Sequence, residues 1–381
     1  MPNLISLLGI RLQLLIGQPD VPMPAPFEVV DALVELSVTN RDRDRDGFQM
    51  KFAIGKDSSL DYGLLQSGIL DCPNRVIITV LFGGLPQVLI DGLITDLQVQ
   101  ASHEPGRSTL DVTGEDGSGK LSFEEQNATH PNQSDSDIVT EILRKAGFRP
   151  EVTETSDTPD EEERVPTQQC NNLQFVQRLA RRNNFVFFVE PTEIPGINLA
   201  YWGPERRDGA PQTPALTMNM GSQTNVDTPI QFHFNPLGAV DPVVNIIDPF
   251  TKTAFGIPVP SSPFALLSKK PTRALRTSIN RGTANLSFAQ ALLRATTGAV
   301  DSASVLDASG EVDAARYGKA LRSRRTIDVR GAGESYNGRY YVAEVTHRIR
   351  RFPNAEYKMA FRLRREGRGA TSSSIGPQIS D

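Results

Sequence analysis

Apolar and polar residues alternate with a period of two through much of the first 115 positions. Phe48, Met50, Phe52 and Ile54 are separated by Gln49, Lys51 and Ala53, and Val76, Ile78, Val80 and Phe82 repeat the pattern. A period of two turns one face of each strand onto a core. Residues 29–38 and 88–99 are apolar on both faces, as expected of strands covered on two sides. Glu104-Pro105-Gly106 closes a hairpin whose second arm is 108–114. These signals predict a small β-barrel or sandwich over residues 1–115. Residues 4–16 are apolar, but Arg11 interrupts them and neither a basic leader nor a small-residue cleavage site is present. They read as a strand, not a signal peptide.

The period changes after Pro131. Ser134, with Asp137 three residues on, is a helix start, and Ile138, Val139, Ile142, Leu143 and Ala146 follow at helical spacing before Gly147 and Pro150. An acidic stretch over 151–166 reads as mobile and solvent-facing. Asn171 or Asn172 caps a second helix with Leu173, Phe175, Val176, Leu179 and Ala180 on one side, and Asn183-Asn184 stops it. Strands at 185–189 and 197–202 flank a turn at 191–195. Together these predict a compact α/β unit.

Beyond it the chain turns β again. Residues 243–247 and 253–257 form a hairpin about Asp248-Pro249, 258–281 reads as irregular, and 288–296 and 314–321 carry helical spacing. Residues 326–329, 339–349 and 357–363 alternate strongly, with Asn337-Gly338 as a type I′ turn signal. The Gly/Ser-rich end after Gly367 reads as disordered until bound.

Composition adjusts this picture in two places. The chain has 381 residues, 27 Pro and 30 Gly, which suits two or three turn-rich domains, and its net charge of -5 gives no global sign of a nucleic-acid binder. Charge is nonetheless segregated: 316–368 holds fifteen Lys and Arg against five Asp and Glu, whereas 151–164 holds seven acids and one base. Cys72 and Cys170 are too few for a zinc site or disulfide framework and read as buried free thiols. No run reaches the roughly 18 apolar residues of a membrane helix. Membrane insertion is therefore not expected, and the chain is expected in the cytosol.

Candidate chemistry is weak throughout. Residues 114–120, GEDGSGK, have a P-loop frame, but Leu121 replaces the Ser/Thr, no amphipathic helix follows, and Glu115 and Asp116 repel phosphate, so a turn after a strand is favoured. Asp42, Asp44, Asp46 and Gly47 imitate a calcium loop, yet the twelfth position is Ala53 and Arg41, Arg43 and Arg45 neutralise the acids. A solvated charged loop is expected there. His103, His130, His233 and His347 share no ligand spacing, and His347 reads as a satisfied, half-buried strand position. Arg348, Arg350, Arg351, Arg362, Arg364 and Arg365 read as largely outward strand positions, for protein contact or as a plain solvated face. No catalytic, cofactor-binding or metal residue is expected.

The order of segments carries a resemblance. A β region, SDSDIVTEIL, the acidic stretch, TQQCNNLQFVQRLARRNNFVFFVE, LAYWGP and then a second β region resemble the phage late control D family, the baseplate hubs of contractile phages and the hub part of type VI secretion spike proteins. Residues 170–190 are the most specific piece. GEVDAARYGKALRSRRTIDVRGAG, YNGRYYVAEVTHRI and EYKMAFRLRREG look like the closing strands of hubs from contractile injection systems. The resemblance covers about residues 8–366.

It implies a mainly β, α+β fold: two tail-tube-like β-barrel domains with a small inserted α/β domain, forming a trimeric, pseudo-sixfold ring. The expected divisions are a first barrel over 1–115, the α/β insert over 116–202, a connection and first strands of the second barrel over 203–258, an irregular or helical insertion over 259–323, closing strands over 324–366 and a flexible tail over 367–381. The implied function is that of a non-enzymatic hub enclosing a channel and adapting a threefold spike to a sixfold inner tube. Implied partners are two further copies, a separate spike protein below, tube proteins above, and wedge or LysM-type adaptor proteins around, with no nucleic acid. The particle is expected to assemble in the cytoplasm of the producing bacterium and to be released or membrane-anchored as a complex. The alternatives are the hub of a contractile bacteriophage tail, a tail-associated cell-wall hydrolase, and a glycan-binding module that stacks sugars on Trp202 and Tyr340-Tyr341.

Overall fold

Both ends of the chain contribute to one sheet. In the computed structural model, which describes residues 4–7, 9–55, 62–104, 107–159, 165–247, 254–258, 266–280, 304–351 and 354–371, fourteen strands share it. Its path runs Leu4–Leu7, Ile10–Gln18, Arg75–Phe82, Leu85–Gln100, Ser108–Asp116, Gly47–Ile54, Leu33–Arg41, Gly338–Arg350, Glu356–Arg365, Leu306–Asp313 and Gln231–Phe234. Val21–Pro24 pairs with Ile10–Gln18, while Thr326–Arg330 joins Gly338–Arg350 to Gln212–Thr217, the last contact being parallel.

Leu33–Arg41 against Gly338–Arg350 is the seam. Arg41 faces Glu344, Val38 faces His347 and Glu35 faces Arg350 in antiparallel register. Thr39 and Thr346 hydroxyls meet across it at 3.1 Å. Beneath, Leu36, Val38, Met50 and Phe52 from the first region and Val345, Ile349, Met359 and Phe361 from the last are buried in one core. Each such side chain contributes about 1.5–3 kcal/mol by leaving water, so the seam is held chiefly by apolar burial.

The alternating segments form the strands their period dictates: Phe48, Met50, Phe52 and Ile54 point inward from Gly47–Ile54. Residues 29–38 do not form one strand. Pro26 precedes a helix over Phe27–Ala32, which buries Val29 and Val30 before Leu33–Arg41 begins. In Leu85–Gln100 the two-sided burial stops at Ile94, and beyond it Leu97 packs on the core while its neighbours are exposed. Pro105 and Gly106 lie outside the described residues, as does the helical pattern at 288–296.

Residues 117–203 build a second core. Helix Asp135–Lys145 opens on Ser134, whose hydroxyl accepts from the Asp137 N–H at 3.1 Å, and helix Asn172–Asn183 opens on Asn171, whose side chain accepts from the Gln174 N–H at 2.9 Å. Asn184 ends the second helix in the left-handed region. Both helices cover Arg149–Val152, Asn198–Gly203 and Val186–Pro191, a three-stranded sheet. Phe175, Val176, Leu179, Phe187, Val189 and Trp202 fill the space between, with Phe185 edge-on to Trp202 at 4.8 Å. The stretch 151–166 is not wholly solvent-facing: Thr155 and Pro159 are buried, and Thr155 exchanges hydrogen bonds with Ser136. Residues 160–164 lie outside the described set.

The later part departs from expectation in four places. Strands Val240–Ile247 and Ala254–Pro258 do pair, but Arg276–Asn280 joins them and Ser268–Pro271 forms another strand, so 258–281 is not all irregular. Leu306–Asp313 is a full strand because Leu306, Ala308 and Val312 turn inward and both its edges are paired. The helix within 314–321 stops at Tyr317, where Gly318 turns left-handed. Asn337-Gly338 makes no two-residue turn, since Val329 pairs with Gly338 and the residues between loop out.

The chain's final described strand, Gly367–Ala370, pairs with Ser268–Pro271, so the start of the Gly-rich end is ordered. Among the described residues no helix is long and apolar enough to cross a membrane.

Candidate functional site

The junction between the two β regions and the α/β unit is built from charge. Arg324 donates from Nη2 to Asp46 Oδ1 at 2.6 Å and from Nη1 to Oδ2 at 3.0 Å. It does so from a left-handed backbone conformation, φ 62, which costs a residue with a side chain about 1–3 kcal/mol and persists only where neighbours impose it. Asp46 also accepts from Asn40 Nδ2 and the Arg41 N–H, both at 2.9 Å. The Asp46 N–H in turn donates to Asp116 Oδ2 at 2.7 Å.

Asp116 ends strand Ser108–Asp116 and caps the short 3-10 turn Gly117–Ser122, accepting from the Ser118 N–H at 2.8 Å. Burial, and then the Asp46 carboxylate, push its pKa up to about 6. The guanidinium pairs with Asp46, and Asp116 joins that pair through the Asp46 N–H. Burial works against the charge of Arg324, but Asp46 outweighs it and raises its pKa.

A second chain of ions lies alongside. Arg364 binds Asp42 and donates to Glu205 Oε1 at 2.6 Å. Glu205 accepts from Arg207 Nε at 3.1 Å, and Arg207 reaches Glu366 at 3.5 Å and Ser304 Oγ at 2.9 Å. Glu366 accepts from the Ser268 N–H at 2.7 Å. Arg365 is fully buried and donates to the carbonyls of Gly367, Asn337 and Ser335 at 2.9, 3.0 and 3.1 Å.

Rings extend this junction into the α/β unit. The Arg324 guanidinium lies 4.1 Å from the Phe188 ring centre, Phe188 stacks on Tyr201 at 5.0 Å, and Arg206 lies 3.9 Å from Tyr201. Arg206 closes on Glu151 and Glu190 at 2.5 and 3.2 Å. Phe188 and Tyr201 belong to the sheet face opposite the helices. Cation and ring alternate from the large sheet to the inserted unit, and the arrangement fixes their relative orientation.

Several sequence expectations change here. Asp42 and Asp46 are buried acceptors, and within that loop Asp44 is exposed. The loop is not simply solvated because Arg324 and Arg364, remote in sequence, neutralise it. Arg348, Arg350 and Arg362 do face outward, whereas Arg351 donates to the Val30 carbonyl at 2.6 Å and Arg364 and Arg365 turn inward. GEDGSGK is a strand end and turn, as read; a Cβ on Gly114 would lie 2.2 Å from the Phe48 ring.

His347 is fully buried rather than half-buried; its Nδ1 lies 2.9 Å from the Tyr357 hydroxyl, and burial takes its pKa down to about 3. His103 and His233 are exposed, while His130 stacks on Phe175 at 5.5 Å. Trp202, Tyr340 and Tyr341 are all inside the core, out of reach of a sugar. Cys72 is exposed and Cys170 half-buried, so neither thiol is the buried one expected. No group of three or more His, Cys, Asp or Glu among the described residues could hold a metal ion.

No family model matches the chain, and no curated protein matches it. Solved structures do. A tail protein from Neisseria meningitidis MC58 superposes with a TM-score of 0.62 at 11% identity, covering 94% of this chain and 97% of that one. The 43 kDa tail protein of prophage MuSo2 from Shewanella oneidensis gives 0.60 at 14% identity over 94% and 98%. An E. coli component of the type VI secretion system, which exhibits structural similarity to the T4 bacteriophage tail proteins gp27 and gp5, gives 0.54 at 13% identity over 87% and 73%. At such identities likeness speaks for the backbone alone, and on that ground the chain has the fold of phage tail proteins and of this type VI secretion component.

Proposed function

We propose that the chain is the structural hub of a phage-tail-like contractile injection system, a homotrimer that adapts a threefold spike to a sixfold inner tube around a central channel. The observation that carries this reading is the seam. Leu33–Arg41 and Gly338–Arg350 join two antiparallel regions side by side, with the α/β unit inserted between them in sequence. Read as two tube-like barrels, these regions would give six positions in a trimer. The match in fold to tail proteins over almost their whole length supports a structural role in a phage-tail-like particle.

The role is non-enzymatic. The charged groups at the junction are engaged with one another, and His347 is held neutral in the core. Spike below, tube above and wedge or adaptor proteins around are the partners, met in the cytoplasm of the producing bacterium. The hub of a contractile bacteriophage tail is the same reading in another particle.

Light scattering tests the trimer directly, and reconstruction of the assembled particle tests the ring. A mass of three chains and a six-barrel ring about a channel are expected; a monomer at micromolar concentration with no ring in the particle overturns the proposal.

A further inference from the structure

Lys270 and Arg368 are direct partners across the antiparallel ribbon of Ser268–Pro271 and Gly367–Ala370, and both are exposed. Like charges set opposite one another on a ladder cost stability. Lys269 is exposed beside them, and none of the three cations has a carboxylate within ion-pair reach among the described residues. The ribbon is nonetheless tied down from below. Arg365 donates to the carbonyls of Gly367, Asn337 and Ser335, and the Gly369 N–H donates to the Ser335 carbonyl at 2.9 Å. The Glu366 side chain accepts from the Ser268 N–H at 2.7 Å, and its carbonyl accepts from the Thr272 N–H at 3.0 Å. These bonds hold the cations together without an anion between them.

Over the ribbon lies a groove of about 1130 Å³, lined by all three cations, with Phe234, Pro236 and Pro271 as its apolar part and Glu334 as its acid. Its size exceeds the roughly 300–1,000 Å³ of a small-molecule pocket. Cations, prolines and a ring on preformed walls suit a stretch of polypeptide that carries both acidic and apolar side chains. A single-stranded nucleic acid would need open rings to stack on, whereas the Arg368 guanidinium lies 4.9 Å from the Phe234 ring centre. Lysines on an edge strand also discourage stray strand pairing, but that role needs neither a groove nor an arginine opposite the lysine.

We propose that this groove is a docking site for an acidic segment of another protein. Carboxylates of that segment take up the charge of Lys269, Lys270 and Arg368, and its apolar side chains lie along Phe234 and Pro236. Complementary charge of this kind steers association and fixes register more than it adds affinity, and it weakens with salt. The groove belongs to a single chain, so the site stands or falls apart from the hub reading.

The test titrates the whole chain into the fluorescein-labelled decapeptide EPELEPELEP and follows anisotropy at low and physiological salt. Saturable binding that weakens with added salt is expected, with a loss of roughly tenfold or more in K269E/K270E/R368E. R11E/R149E/R348E reverses three exposed cations outside the groove and changes net charge equally, and is expected to keep the peptide. The neutral variant K269Q/K270Q/R368Q guards against misfolding. It is expected to lose the peptide while unfolding in urea no earlier than wild type, because the Lys270–Arg368 repulsion is gone. Equal losses in the two charge-reversed variants reduce the effect to net charge and overturn the site. Three other results also overturn it: no saturable binding; tighter binding of an oligothymidylate of equal length, which points to nucleic acid; or a fall in the protein's own mass on charge reversal, which puts a second copy in the groove.

Discussion

Asp46 and Arg324 stand 278 positions apart and meet in a two-pronged ion pair with both side chains almost wholly out of water. The pair links the loop before Gly47–Ile54 to the loop before Thr326–Arg330 at the point where the α/β unit leans on the large sheet. Its energetics follow from burial. Removing one partner strands the other in a low-dielectric setting, at a cost of about 3–5 kcal/mol, whereas removing both loses far less. Asp46→Ala and Arg324→Ala are each expected to lower the urea midpoint sharply. The double substitution with apolar residues, Asp46→Leu with Arg324→Met, is expected to unfold at a higher midpoint than either single variant, read as a coupling in a double-mutant cycle.

Two buried groups set opposing responses to pH. His347 has its pKa lowered from 6.5 to about 3. The unfolded chain therefore binds a proton there that the folded chain refuses, and stability falls as pH drops from 6.5 towards 3. Asp116 has its pKa raised from 3.8 to about 6, so the folded chain binds the extra proton, and stability falls as pH rises from 3.8 towards 6. Between about 3.8 and 6 the two slopes cancel. Wild type is expected to show little dependence from this pair in that window. His347→Gln should uncover a decline in stability with rising pH and Asp116→Asn a decline with falling pH, each followed as urea midpoints in 0.5-unit steps. Two variants with the same slope as wild type would show that neither group titrates as described.

Gly331 has φ 82, and a Cβ there would lie 1.6 Å from the Met218 carbonyl oxygen, part of the backbone that holds Gln212–Thr217 beside Thr326–Arg330. No flexible side chain can yield. Gly331→Ala is expected to cost about 1–3 kcal/mol, and a melting midpoint within a degree of wild type would contradict this placement. Gly333, also left-handed but with open space around its Cβ position, is the control expected to cost less.

The elements most legible from sequence were those whose local pattern and tertiary setting agree. Gly47–Ile54 shows its buried face in every second residue, and Ser134 and Asn171 announce their helices by side-chain chemistry that acts within three residues. Leu306–Asp313 was hidden because Asp307, Ser309, Gly310 and Glu311 interrupt its apolar positions; pairing on both edges, and the Phe361 ring lying against Gly310, hold it as a strand. The junction was hidden more deeply. Asp42 and Asp46 sit among arginines and look solvated, and nothing near them in sequence signals that Arg324 and Arg364 arrive from the other end of the chain. Long-range ion pairs leave no local period.

The end of the chain offers a further measurement. Gly367–Ala370 supplies the pairing edge for Ser268–Pro271, and the Gly367 carbonyl accepts from buried Arg365 Nε. Truncation after Glu366 leaves Arg365 with an unmet donor and an unpaired strand edge, at about 1–3 kcal/mol for the buried group. Hydrogen exchange should then rise at Ser268–Pro271 while the α/β unit stays protected. Unchanged exchange at Ser268–Pro271 would mean that the ribbon does not hold that segment.

The seam also constrains how the protein comes into being. Leu33–Arg41 emerges from the ribosome about 300 residues before its partner Gly338–Arg350. Until then one side of that strand is a row of unpaired N–H and C=O groups, open to any other strand that comes near. Chains translated close together on one message could pair there with the wrong copy. Folding of the whole sheet waits on its last synthesised third, so a late truncation before Gly338 removes strands Gly338–Arg350 and Glu356–Arg365 and exposes an adhesive edge on the remainder.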